Sequence, residues 1–198
     1  AVLKPGLAES WSVDMGDKVT WTFKLRRGVK FHDGSEFNAD AVVWNVEKVL
    51  KQDAPHFDAS QVGVTASRMP NLRSARKIDA MTVELTTAAP DALLPINLTN
   101  LFMASPAQWK KLYDAASATD PKEKAKQAWD AFSRNASGTG PWKMDKFVPR
   151  ERLEVVKNDA YWNPARKPKV DRRVMLPMPE PNARTAALLS GQVDWIEN

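Results

Sequence analysis

The chain has 198 residues, a formal net charge of +5, no cysteine, and 43% hydrophobic against 27% charged residues. The absence of thiols excludes disulfide staples, zinc-thiolate centres and cysteine nucleophiles. No apolar run reaches the ~20 residues that span a bilayer. The length buries a core as one domain or two. Lysines and arginines are scattered among acids, and the densest run, Lys122 to Lys126, reads as a solvated helix face. Nucleic-acid binding would need a coherent basic patch interleaved with stacking aromatics, so no nucleic-acid partner is expected.

Residues 1–17 read as an extended approach punctuated by Pro5-Gly6 and Gly16-Asp17. Val19, Trp21, Phe23 and Leu25 then alternate with Thr20, Thr22, Lys24 and Arg26, the period of a half-buried strand. Arg27-Gly28 and Asp33-Gly34 mark turns. Asn38 is placed to cap a helix with Asp40 in its first turn and an apolar stripe of Val42, Val46, Val49 and Leu50. Residues 51–75, with Pro55, Gly63 and Pro70, predict a loop holding short pieces. Met81, Val83 and Leu85 alternate as another strand.

Ser105-Pro106-Ala107-Gln108 and Asp120-Pro121-Lys122-Glu123 carry helix-start chemistry. After the second, Ala125, Ala128, Trp129 and Phe132 form one apolar face. Strands are predicted over Trp142–Val148 and Arg152–Lys157 about a turn at Pro149-Arg150-Glu151, and again within Val170–Pro177. Pro181–Ser190 predicts a short helix stopped by Gly191, and Val193 to Ile196 begins a further strand. The fold class is α/β in the mixed, α+β sense, a mixed sheet with flanking helices.

His32-Asp33 invites metal or acid-base chemistry, but His56 is the only other histidine. The pair is therefore read as shaping a turn, with Asp33 bonding its own backbone. Gly138-Thr139-Gly140 lacks the spacing and following helix of a phosphate cradle and is read as a tight turn. Asp145, Glu151 and Glu154 read as solvated strand edges, and the Met175 to Pro179 run as a buried strand entering a turn. Most of the eight tryptophans are assigned to packing, with one or two left for a ligand cleft. No catalytic residue, metal site or cofactor is expected, and the chain reads as a binding module, not an enzyme.

Several segments, in order, resemble the peptide/nickel family of ABC-transporter solute-binding proteins. They are Gly6-Leu7-Ala8-Glu9-Ser10-Trp11, Trp21 to Arg26, Val29-Lys30-Phe31-His32-Asp33-Gly34 and Phe37-Asn38-Ala39-Asp40-Ala41-Val42. Gly138-Thr139-Gly140-Pro141-Trp142, Asn158-Asp159-Ala160-Tyr161-Trp162 and Leu189-Ser190-Gly191-Gln192-Val193-Asp194 continue the pattern. The resemblance implies the first lobe of a two-lobed periplasmic binding protein of type II, with the second lobe absent and the chain cut near the crossover. It divides the lobe into a sheet core (roughly 1–40 and 140–198) and a helical, small-sheet subdomain (41–139).

The implied function is the extracytoplasmic binding component of an ABC importer, capturing a peptide or similar solute between lobes for a membrane permease. The alternative is a solute-sensing domain of a regulatory protein. The implied location is the periplasm, or a lipid anchor in a Gram-positive cell, the leader being removed or not included. By position the resemblance implies ligand contacts at Phe57, Asn100, Phe102, Trp195 and Asn198. Exposed interlobe surface could also pair two fragments as a dimer. One lobe keeps half the contacts, so the isolated chain is expected to bind its natural ligand poorly or not at all. Calorimetry finding micromolar affinity would contradict this.

Overall fold

The computed structural model describes residues 3–16 and 19–197. It opens with β1 (Ala8–Met15) and β2 (Val19–Leu25), paired antiparallel with Trp11 opposite Phe23. The alternation in β2 buries Trp21, Phe23 and Leu25. Within the extended approach expected from residues 1–17, Ala8–Met15 pair into the sheet as β1. Trp11 is its main inward residue and the rest is largely exposed, so its sequence shows too little alternation to announce a strand. Gly28 and Gly34 take φ of 73° and 88°, the left-handed turns predicted for them.

Helix α1 (Ala39–Leu50) starts where the Asn38 side chain accepts the Ala41 N–H, and buries Val42, Val46 and Val49. A second helix, α2 (Ala59–Arg68), lies in the stretch expected to be a loop with short helical or extended pieces. Asp58 caps it, and it holds Gly63 and buries only Thr65, so it carries little periodic signal. Strand β3 (Leu72–Asp79) was likewise not legible, because Arg73, Arg76 and Lys77 interrupt its apolar face. It pairs with β4 (Thr82–Thr87), whose Val83 and Leu85 lie opposite Phe23 and Trp21. The sheet order is β1-β2-β4-β3.

The one-turn helix α3 (Leu94–Asn97) continues as a 3-10 turn to Asn100. Helices α4 (Pro106–Ala115) and α5 (Pro121–Arg134) begin on the predicted caps, Ser105 accepting the Gln108 N–H and Asp120 those of Lys122 and Glu123. They close a second core around Trp109, Ala128 and Phe132, against which Trp44 and Trp129 pack. A three-stranded sheet follows, β5 (Trp142–Val148), β6 (Arg152–Lys157) and β7 (Arg172–Met175), and then α6 (Pro181–Leu189). Gly191 ends α6 with φ 73°.

Every strand pairing among the described residues is antiparallel, so helices and sheets are arranged as α+β. The sheets divide the chain differently from boundaries at 40 and 140: β3 and β4 complete the sheet begun by β1 and β2, while residues after 140 form their own. Val193 to Ile196 is not a strand, for it meets no ladder partner; Trp195 instead lies under the Arg173 guanidinium, 4.9 Å from the ring centroid. No described helix is long and apolar enough to cross a membrane.

The β5–β6 turn places Arg150 at φ 64°, a conformation that costs a residue with a side chain about 1–2 kcal/mol. Arg150→Gly removes that cost and gives back about 0.5–1 kcal/mol of backbone entropy. The expected net is a stabilisation of about 0.5–1 kcal/mol, read as a rise in the urea midpoint at constant slope.

Candidate functional site

Three motif segments meet at one loop. The His32 N–H donates to Gly138 O (2.9 Å), the Gly138 N–H donates to His32 Nδ1 (3.2 Å), and His32 Nε2 lies 3.0 Å from Gly140 O. Nδ1 must accept, so Nε2 carries the proton and the ring is neutral. Asn158, buried, adds a bond from Nδ2 to Gly140 O (3.1 Å) and one from its backbone to Pro141 O (2.9 Å). Phe31-His32-Asp33-Gly34, Gly138 to Trp142 and Asn158 to Trp162 thus form one junction.

Asp33 ties the same loop from its other side. Its Oδ1 accepts from Ser35 N (2.9 Å) and Ser35 Oγ (2.6 Å), and its Oδ2 accepts from Ser105 Oγ. Its N–H donates to Ser137 Oγ (3.1 Å). Burial pushes the Asp33 carboxyl up, and the bonds from Ser105 and Ser35 outweigh it, holding the group below its ordinary value. A serine, an aspartate and a histidine are neighbours here, yet both imidazole nitrogens are spent on backbone. The arrangement builds no nucleophile, in keeping with the turn-shaping role read from the sequence. The chain bends at Thr139 to Pro141, where a tight turn is expected, and Gly138 and Gly140 make it without positive φ. No cluster of three or more His, Asp or Glu that could hold a metal occurs among the described residues.

Beside this junction lies a cavity of about 670 Å³. Trp11 of β1, Phe23 and Leu25 of β2 and Leu85 of β4 line it on one side, and Met144 of β5 and Val155 of β6 on the other. Residues Leu98 to Met103, apart from Asn100, and the Gly138 to Gly140 loop complete the wall. Among the described residues Lys4 and His32 are the only ionisable side chains on this lining, and the His32 ring is committed to backbone. The lining is mostly apolar.

Of the side chains expected at a ligand, Phe102 is at the cavity, 71% exposed. Phe57 is half-buried in the turn after α1 and off the lining. Asn100 is also off it, its amide donating to Asn97 O (3.1 Å) within the 3-10 turn. Trp195 is 59% exposed under Arg173, away from the lining, and Asn198 lies outside the described residues. Trp11, Met103 and Met144 line the cavity and are not among the positions that the resemblance implies. Their only local signal is an apolar residue in a motif or strand, which core packing shares.

Two further titratable groups lie close by. His56 is buried, stacked on Trp44 at 4.4 Å between ring centroids, with Nε2 3.1 Å from Trp44 O. Lys48 is only 1% exposed and donates from Nζ to Phe102 O (2.9 Å); burial pulls its pKa from 10.5 to about 8, against the opposing pull of Asp58.

Burial holds both His32 and His56 below the ordinary 6.5 in the folded chain. The unfolded chain therefore binds protons first as pH falls. The stability that these two histidines contribute is full above about pH 6.5, drops as pH falls from there toward the folded-state values, and levels off beneath them. The urea midpoint is expected to fall between pH 7 and 5, and His32→Leu to flatten part of that slope. A midpoint constant over this range would contradict the assignment.

The chain is similar along nearly its whole length to known proteins. Residues 2–198 match the family described as bacterial extracellular solute-binding proteins, family 5 Middle. The heme-binding protein A of Haemophilus influenzae is 30% identical over 98% of this chain and 35% of its own length. The dipeptide-binding protein of Escherichia coli is 31% identical over 93% of this chain and 34% of its own length. Among solved structures, the periplasmic binding protein DppA of Helicobacter pylori in complex with the peptide STSA superposes with a TM-score of 0.76. It is 25% identical, over 96% of this chain and 37% of that one. The chain spans about a third of the length of these relatives. It belongs to the family 5 extracellular solute-binding proteins.

Proposed function

We propose that the full-length protein is the extracytoplasmic, periplasmic or lipid-anchored, binding component of an ABC importer. It captures a peptide or similar small solute between two lobes and presents it to the membrane permease. The observation that carries this reading is the apolar cavity beside the His32 junction, with Phe102 exposed at its edge, in a chain of this family. Its volume of about 670 Å³ falls within the ~300–1,000 Å³ range of small-molecule sites.

The lining sets the preference. Apolar side chains gain from leaving water at about 25 cal/mol per Å², while a charged side chain would lose hydration with Lys4 as the one free ionic partner on the wall. A ligand that bridges both lobes binds the closed state better and shifts the population toward it. One lobe makes part of those contacts, so its own affinity sits near the millimolar level, about −4 kcal/mol.

The test is a nuclear magnetic resonance titration of the 198-residue chain with the dipeptides Met-Leu and Gly-Gly. Met-Leu is expected to shift amides at Phe102, Met103 and Gly138 to Gly140 with a millimolar Kd, and Gly-Gly to leave them in place. Phe102→Ala is expected to weaken Met-Leu about tenfold, the ~1.4 kcal/mol of a part-buried aromatic contact. Shifts that are scattered, or equal for the two dipeptides, would overturn the reading.

A further inference from the structure

Helix α1 buries two polar side chains that its apolar stripe does not need. Asn45 is fully buried and makes three bonds: Nδ2 to Ala41 O (2.8 Å), Nδ2 to Ala104 O (2.9 Å), and Oδ1 from the Ala104 N–H (2.9 Å). The side-chain amide thus closes a two-point pair with one residue's backbone, as a neighbouring strand would. Lys48, three positions on and on the same helix face, holds Phe102 O. Ser105 N donates to Ser137 O (2.9 Å), fixing the far end of the same segment. Residues 102–105 therefore form an extended rail clamped from beneath by α1, with the Phe102 ring left exposed beside the cavity.

The geometry points to Asn45 and Lys48 as positioning residues for ligand capture: together they hold the Phe102–Ala104 backbone so that the Phe102 ring stands at the cavity edge. The inference rests on the proposal that this cavity takes the solute. Packing alone does not account for Lys48. Its four-carbon stem fills space that methionine would fill as well, and burying its ammonium opposes folding, as its lowered pKa shows. A group that is unfavourable to bury and bonds a single carbonyl serves that carbonyl's position. Rigid placement of a contact residue also lowers the ordering loss on binding.

The test uses Lys48→Met, with Asn45→Ser as a second variant, in the 198-residue chain, reading three quantities: thermal midpoint, amide exchange at Met103 and Ala104, and the Met-Leu dissociation constant. For Lys48→Met the midpoint is expected to stay level or rise, exchange at Met103 and Ala104 to accelerate more than tenfold, and the dissociation constant to rise at least fivefold. Asn45→Ser is expected to accelerate Ala104 exchange by at least as much, and it carries the test if Lys48→Met fails to fold. A core-filling role would leave exchange and affinity unchanged at an unchanged midpoint, and that result overturns the inference. If exchange accelerates while the wild-type chain shows no localised shifts with Met-Leu, the cavity reading fails and the clamp alone stands, as a structural feature.

Discussion

The backbone carbonyl of Gly140 receives both the His32 imidazole and the Asn158 amide, and on that shared acceptor the relation between the two sheets depends. The first sheet and its helix supply His32; the second sheet begins just after Gly140 and supplies Asn158 beyond β6. Arg26, stacked 4.9 Å over Trp162 and bonded to Gly6 O, makes a second tie between the same two bodies. These are directional contacts rather than broad apolar packing. Hydrogen bonds fix an angle where an oily interface would allow sliding, and a neutral imidazole that both donates and accepts fixes it in two directions at once.

Helix α1 carries the other half of the design. One set of its side chains, Val42, Val46 and Val49, packs into the main core. Another, Asn45 and Lys48, reaches sideways to backbone groups that no strand satisfies. Buried backbone polar groups demand partners, and a segment outside any ladder must find them in side chains. The 102–105 rail is such a segment. Its conformation is thus written in α1, nearly sixty residues upstream.

That separation explains what was legible in the chain. Strand β2, helix α1, the caps at Ser105 and Asp120 and the β5–β6 hairpin all announce themselves through local alternation, capping chemistry or turn residues. Helix α2 and strands β1 and β3 do not, since each buries few residues and so shows little apolar period. The resemblance located the family, and its motifs mark the junction at Gly140. It placed one of the expected contact residues, Phe102, at the cavity, while Phe57, Asn100 and Trp195 fall elsewhere. The burial of Lys48 was invisible for a simpler reason: a lysine in a helix reads as solvent-facing by type, and the carbonyl that draws it inward lies 54 positions on.

The cavity cannot be assigned to either sheet. Trp11, Phe23 and Leu85 come from one, Met144 and Val155 from the other, and the Gly138 to Gly140 loop joins them along its wall. The hydrogen bonds of His32 to Gly138 and Gly140, and of Asp33 to Ser137, hold that loop against the first sheet's turn. Protonating His32 removes the acceptor that the Gly138 N–H uses and sets a cation against that N–H. Protonation therefore breaks one of the bonds that hold the Gly138 to Gly140 loop in the cavity wall, and it does so at a ring bonded to backbone on both nitrogens.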